Sequence, residues 1–222
     1  MIFPDDFVNK IINGDCVSIM KQMPDACLDL IVTSPPYNLK KSVGNNCAMP
    51  HDEYVQWQKK CLFEMFRLLK DDGAIFYNHR WCVQAGILQD RQDIVSGFPV
   101  RQIIIWRTET GSDYDPGSFL STYDVIYLIA KPEFKLTPEA NSHGDIWDFP
   151  REVNNIHPTP FPVALIERII SSTYARLILD PFSGSGTTAV AAALLDRNYI
   201  GIELSPEYCN LSEQRLGQRR SD

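Results

Sequence analysis

Short apolar runs alternate with stretches of helical periodicity along most of the chain. LDLIV at 28–32, GAIFY at 73–77, VRQIIIW at 100–106, DVIYLIA at 124–130, RLILD at 176–180 and YIGIE at 199–203 have the length and branched or aromatic content of strands. Several are apolar throughout, as strands buried on both faces are, so the pattern predicts a mostly parallel sheet flanked by helices. Between the first two runs, Tyr54, Cys61, Leu62, Met65, Phe66 and Leu69 recur at helical spacing, with Asp52 placed to cap the start. Shorter helices are expected after Pro162, where Val163, Leu165, Ile166, Ile169 and Ile170 recur, and after Thr187. The Asn-rich stretch from Lys40 to Pro50 and the polar segment from Thr108 to Thr122 read as long surface loops, which in compact domains are often functional. The expected fold class is α/β, a single doubly wound sheet over residues 1–222 with no linker rich enough to divide it.

Composition narrows this only slightly. With 44% hydrophobic and 22% charged residues, the chain is that of a globular protein rather than a disordered or fibrous one. The longest apolar run, Ala189 to Leu195, is far short of the roughly 20 residues a membrane span needs. The start, MIFPDDFVNK, has neither a basic segment nor an apolar stretch, so no signal peptide is expected. Six cysteines, Cys16, Cys27, Cys47, Cys61, Cys82 and Cys209, follow no paired metal-site spacing and no dense disulfide pattern. They read as reduced thiols in a cytoplasmic protein without a metal site. His51, His79, His143 and His157 likewise form no metal spacing.

The net charge of −7 argues at first against a polyanionic partner. Its distribution weakens that argument: residues 1–32 carry 2 basic and 5 acidic groups, residues 33–135 carry 12 and 12, and residues 136–222 carry 7 and 11. The acidity sits at the two ends.

Near the C-terminus, LILDPFSGSGTTAVAAALL reads as a buried strand, a glycine turn and an Ala-rich helix. Gly184 and Gly186 permit a tight turn and close approach of a ligand, and the helix behind them directs free N–H groups at it. Read literally, Gly184, Gly186 and Ala189 satisfy the dinucleotide pattern, with Glu203 at the end of the next strand placed for ribose hydroxyls. Three readings stand: a purely structural turn, a nicotinamide dinucleotide site, and a site for another adenosine-containing cofactor. The insertion of Asp180, Pro181, Phe182 and Ser183 between strand and first glycine favours the last, because a carboxylate repels a pyrophosphate and suits an ammonium group. S-adenosylmethionine has that ammonium and no phosphate. The turn also lacks the lysine that a P-loop requires.

At the end of LDLIV comes Thr33-Ser34-Pro35-Pro36-Tyr37. Consecutive prolines fix the backbone and offer carbonyl oxygens without N–H donors, so this turn presents acceptors. An exocyclic amine of a nucleobase is a poor nucleophile because its lone pair is delocalised into the ring. Two acceptors, the Ser34 hydroxyl and the Pro35 carbonyl, can hold its N–H bonds and favour the pyramidal nitrogen that attacks a methyl group. Tyr37 offers an aromatic face for a base extruded from the helix. The plainer alternative is a structural Pro-Pro turn with a core tyrosine behind it.

TSPPY together with DPFSGSGTT resembles the S-adenosylmethionine-dependent DNA amino-methyltransferases that modify N4 of cytosine or N6 of adenine. The order, catalytic tetrapeptide first and cofactor turn last, resembles their circularly permuted β class. GDC at 14–16, HPTPFPVALIERII at 157–170 and YIGIE extend the likeness over most of the chain. The resemblance implies that Asp15 meets the cofactor adenine, Glu203 the ribose, and Asp180, Phe182, Gly184, Gly186 and Thr159 the methionine and its surroundings. It implies that Ser34, Pro35 and Tyr37 form the base pocket, with double-stranded DNA as substrate. Serine at the head of the tetrapeptide, where many adenine enzymes have aspartate, favours N4 of cytosine slightly over N6 of adenine. A nucleotide-dependent oxidoreductase and a non-catalytic DNA-binding subunit are the other classes the residues allow.

Lys40, Lys41, Arg80 and Arg107 are candidate phosphate contacts, with a solvated loop as the alternative for the lysines. Trp57, Trp81, Trp106 and Trp147 read as core or interface residues. Residues 107–151 are the stretch available for a target-recognition region, and they are few. Three routes to site recognition remain: a short recognition site, a homodimer that pools loops, or a separate recognition or restriction partner. The neutral middle segment leads us to expect weak nonspecific DNA affinity, with low salt favouring activity.

Overall fold

The computed structural model describes residues 1–38, 49–84, 86–108, 117–151 and 161–218. Strands are β1 (Lys10–Asn13), β2 (Leu28–Thr33), β3 (Leu69–His79), β4 (Cys82–Gln84), β5 (Ile87–Gln89), β6 (Val100–Arg107), β7 (Tyr123–Ala130), β8 (Ile146–Asp148), β9 (Leu177–Asp180) and β10 (Asn198–Glu203). Helices are α1 (Cys16–Met20), α2 (His51–Leu68), α3 (Gln92–Val95), α4 (Val163–Ser171), α5 (Thr187–Leu194) and α6 (Pro206–Gln218), with a 3-10 turn at Pro138–His143.

Eight strands form one sheet in the order β1-β10-β9-β2-β3-β7-β6-β8, and β4 and β5 form a separate hairpin. The five from β1 to β3 run parallel, and β7 then pairs antiparallel with both β3 and β6. This is the mostly parallel sheet that the apolar runs predict, with the antiparallel β7 joining it to β6 and β8. Each central strand is buried on both faces by alternation. Ile75 and Tyr77 of β3, with Val125, Tyr127 and Ile129 of β7, face the core under α1, α2 and α3. Ala74 and Phe76, with Ile126, Leu128 and Ala130, face the opposite core under α4 and α5. In β2 a register shift between Leu28 and Leu30 puts Leu28 and Ile31 on one side and Leu30 and Val32 on the other.

Tyr54, Val55, Gln58, Cys61, Leu62, Met65 and Leu68 make the buried stripe of α2, as their three-and-four spacing requires. Its start corrects one expectation. Pro50 occupies the N-cap and no side chain caps the helix; Asp52 lies inside the first turn, where its charge favours the helix dipole. By contrast α5 is buried nearly all round, because its small Thr, Ala and Val side chains let it lie close between the sheet and its helical neighbours. Most of Lys40–Pro50 and of Thr108–Thr122 lies outside the described residues. Within 107–151, β7 and β8 are strands of the main sheet. No described helix is long and apolar enough to cross a membrane.

The parallel strands point their carboxyl ends to one edge. Because β9 and β2 are direct neighbours, with Leu30 beside Ile178 and Ile31 beside Leu179, the turn after Asp180 and the turn after Thr33 open side by side. Helices leave in opposite directions from such a pair of strands, which opens a crevice there.

Candidate active site

Two turns 147 residues apart in sequence are tied where the Thr33 hydroxyl donates to Asp180 Oδ1 at 2.7 Å. The Phe182 amide donates to the same oxygen at 3.1 Å, and the Thr188 hydroxyl donates to Oδ2 at 2.8 Å. Burial nevertheless pushes the Asp180 carboxyl up to about 6, with the nearby Glu203 charge adding to the rise against these three donors. Asp180 is thus a buried carboxylate held at the neck of the crevice. A cation there would relieve its desolvation; an anion would worsen it.

The glycine turn is braced from behind. Glu203 accepts from the Gly184 amide through Oε2 and from the Ser205 amide through Oε1, each at 2.8 Å. A carboxylate has about four lone-pair sites, so both oxygens retain capacity for further donors such as hydroxyls. Gly184 and Gly186 have φ of 51° and 78°, the left-handed region that glycine tolerates without cost. Ser212 of α6 donates to Gly184 O at 2.9 Å, and Arg215 donates to Ser185 O at 2.7 Å. Gly14 and Asp15 follow β1 at the same edge, Gly14 donating its amide to Glu203 O at 2.9 Å. Asp15 is exposed and caps α1, its Oδ1 accepting from the Ser18 amide at 2.9 Å and the Ser18 hydroxyl at 2.7 Å. Trp57 of α2 packs edge-on against Phe182, with ring centroids 5.7 Å apart.

Next to this cradle the tetrapeptide forms its own cluster. The Ser34 and Tyr37 hydroxyls are 2.7 Å apart and both lie within donating reach of Asn78 Oδ1 at the end of β3, Ser34 at 3.1 Å, so their hydrogens point into this cluster. Asn78 Nδ2 donates to Val125 O at 3.2 Å, which fixes the amide so that its oxygen faces the hydroxyls. Tyr54 of α2 donates to the Pro36 carbonyl at 2.7 Å, so Pro36 O has a partner already. The same hydroxyl meets His79 Nε2 at 2.6 Å. His79 is fully buried; burial, aided by the Arg91 charge, lowers it to about 3, so the ring is neutral and unsuited to act as a base at ordinary pH. Tyr37 has one ring face near His79, centroids 5.0 Å apart, and is 8% exposed, so only its other side can meet a base. Burial also raises the Tyr37 phenol, which keeps it a neutral hydroxyl.

The carboxylates Asp15, Asp180 and Glu203, a glycine turn without a lysine, and an acceptor cluster at Ser34 make a pocket edge that suits a cationic adenosine cofactor beside an amine. Residues 28–214 match the family model described as DNA methylase, of the N6/N4 methyltransferase type. The chain belongs to that family. The methylase is 32% identical to the type II methyltransferase M.BglII of Bacillus subtilis over 96% of this chain and 70% of that protein. It is 30% identical to the DNA adenine methyltransferase YhdJ of Escherichia coli K12, over 96% and 85%. The crystal structure of TTHA0409 from Thermus thermophilus, a putative DNA modification methylase complexed with S-adenosyl-L-methionine, superposes with a TM-score of 0.74 at 28% identity, over 94% of this chain and 93% of that one. S-adenosylmethionine is the methyl donor of this family.

Of the residues expected at the site, Asp15, Ser34, Pro35, Tyr37, Asp180, Phe182, Gly184, Gly186 and Glu203 gather at the carboxyl edge of the methylase sheet. Lys40, Lys41 and Thr159 lie outside the described residues. Arg80 corrects an expectation. It is 6% exposed, with Nε 3.9 Å from Asp124 Oδ1, so it is a charge partner inside the fold rather than a surface phosphate contact. Arg151, which sequence reasoning passed over, donates to Asp124 Oδ2 at 2.8 Å. Arg107 is exposed and makes a two-pronged pair with Asp148 at 2.6 and 2.5 Å, a geometry a phosphate would have to displace. Trp106 and Trp147 are buried, as expected of core residues. Sequence reasoning also passed over Asn78; the available signal was a lone amide closing the otherwise apolar run GAIFY.

Proposed function

We propose that this DNA methylase transfers the methyl group of S-adenosylmethionine to N4 of a cytosine extruded from duplex DNA. The observation that carries the reading is the Ser34 hydroxyl, half-buried at the end of β2 and directly beside the cofactor turn that Asp180 begins. The residues present fit the cofactor: Asp180 suits its ammonium, Glu203 its ribose hydroxyls, Asp15 its adenine, and the Gly184–Gly186 turn admits it close to the backbone. When bound it supplies an electrophilic methyl on a sulfonium. Ser34 Oγ and the Pro35 carbonyl hold the two N–H bonds of the amine and leave the nitrogen pair directed away from the ring. That pair forms the N–C bond as the methyl–sulfur pair stays with sulfur, and the surplus proton leaves to solvent. The methylated ammonium is acidic enough to need no strong base, consistent with a neutral, enclosed His79.

N6 of adenine is the second reading, supported by the name of the 30% identical relative YhdJ. The test is incubation of duplex DNA with labelled cofactor, followed by nucleoside digestion and mass spectrometry. N4-methylcytosine is the expected product; N6-methyladenine would reverse the choice of base, and label in RNA or protein alone would overturn DNA as the substrate.

If Asp180 faces the cofactor ammonium, affinity depends on its ionisation. With the carboxyl at about 6, cofactor affinity is expected to fall roughly tenfold per unit as the pH drops below that value. The sign follows because the protonated acid offers a cation no charge. Calorimetric titration between about pH 4.5 and 6.5, where the cofactor amine keeps one charge state, reads this directly. Asp180→Asn should bind more weakly at the top of the range and show no slope; an equal slope in both proteins would remove Asp180 from the contact.

A further inference from the structure

A serine hydroxyl is both donor and acceptor, and holding an amine uses only its acceptor side. For Ser34 Oγ to accept an N–H from the base, its own hydrogen must be directed elsewhere. Asn78 Oδ1 lies 3.1 Å from Ser34 Oγ and also accepts from the Tyr37 hydroxyl. Asn78 cannot turn its NH2 to Ser34 instead, because that would set Oδ1 against Val125 O of the adjoining strand β7, to which Nδ2 donates. The residue is 1% exposed, so water does not compete for that oxygen. Its place is set by the sheet: β3 lies beside β2, with Thr33 next to Tyr77, so the residue after Tyr77 lies level with the start of the tetrapeptide. Tyr37 returns to the same oxygen from the far side of the two prolines, closing a three-membered cluster of Ser34, Tyr37 and Asn78.

We propose that Asn78 is the positioning residue of the methyl-transfer site: its side-chain oxygen draws the Ser34 hydrogen inward and turns the serine lone pairs toward the substrate amine. This rests on the reading of Ser34 as the amine acceptor. A neutral serine thereby presents what a carboxylate at the same place would present by itself, an oxygen with only lone pairs toward the base.

The test is a double-mutant cycle on the full chain, read as single-turnover methyl transfer to duplex DNA, with cofactor dissociation constants and thermal melts on each variant. Asn78→Leu, close in size and without an acceptor, should lower the transfer rate roughly 10- to 100-fold while cofactor affinity stays within about twofold. In a Ser34→Ala background the same change should cost less than about twofold, because no serine hydrogen remains to be directed. Equal losses in both backgrounds, or a loss accompanied by weakened cofactor binding, would make Asn78 merely structural and overturn the proposal. Should Asn78→Leu fail to fold, Asn78→Asp keeps an oxygen opposite Ser34 and is expected to stay within about tenfold of the native rate; a loss as deep as that of Ser34→Ala, with cofactor binding intact, also overturns it. The failure of the underlying reading looks different: Ser34→Ala itself would then transfer methyl groups at the native rate.

Discussion

Ser34→Ala is expected to lower the rate of methyl transfer by about 100- to 1,000-fold, the usual cost of deleting one positioned acceptor or donor at a reacting centre. On the proposed reading the remaining acceptor, the Pro35 carbonyl, would hold one N–H, and one contact does not favour a pyramidal nitrogen as two do. Cofactor affinity and melting temperature should change little, because Ser34 touches Tyr37 and Asn78 and none of the groups that brace the glycine turn. The effect therefore belongs in kcat, with KM for DNA nearly constant. A variant within threefold of the native rate would remove Ser34 from the chemistry.

Gly186→Ala carries the largest expected effect on stability. The residue has φ of 78°, and a Cβ there would lie 2.7 Å from Ser212 Cβ and 3.2 Å from Ser212 Cα. Left-handed backbone costs a non-glycine residue about 1–2 kcal/mol, and forcing a methyl into a packed site costs about 1–3 more. The loss should come to roughly 2–5 kcal/mol in urea denaturation, together with weaker cofactor binding, since α6 is pushed from the turn it braces. Ser212→Gly in the same chain removes the Cβ and Oγ that collide and should restore part of the loss, leaving the backbone term together with the cost of the lost bond to Gly184 O and of a glycine within α6. If Gly186→Ala is as stable as the native chain, the close approach of α6 is not what holds the turn.

Much of the architecture can be read in the sequence where burial is strong. The apolar runs that become β2, β3, β7, β9 and β10 carry their two-sided burial as clusters of Val, Ile, Leu, Phe and Tyr, whereas β6 fully buries only Ile104 and Trp106, on one face. The weakly patterned elements are not legible in that way. β1 is a four-residue edge strand with only its two isoleucines half-covered. α6 buries Cys209, Ser212 and Leu216, a stripe with one strongly hydrophobic member, so its helical period gives little signal. Yet Ser212 and Arg215 of that helix brace the glycine turn.

Local sequence determined which residue types stand at the proposed site: TSPPY as an acceptor turn, DPFSGSGTT as a glycine turn led by a carboxylate, and GIE as a strand ending in another. Those depend on backbone preferences and side-chain donors that act over a few residues. Only the tertiary structure decided who faces whom. Strand order set β2 between β9 and β3, which brought Thr33 to Asp180 on one side and Ser34 to Asn78 on the other. It also enclosed Arg80 beside Asp124 and His79 beside Tyr54, making the phosphate-contact candidate Arg80 a charge partner within the fold. The physical reason is that hydrophobic periodicity specifies which faces are buried, while the pairing of polar groups depends on contacts between segments far apart in the chain, and those exist only once the sheet has assembled.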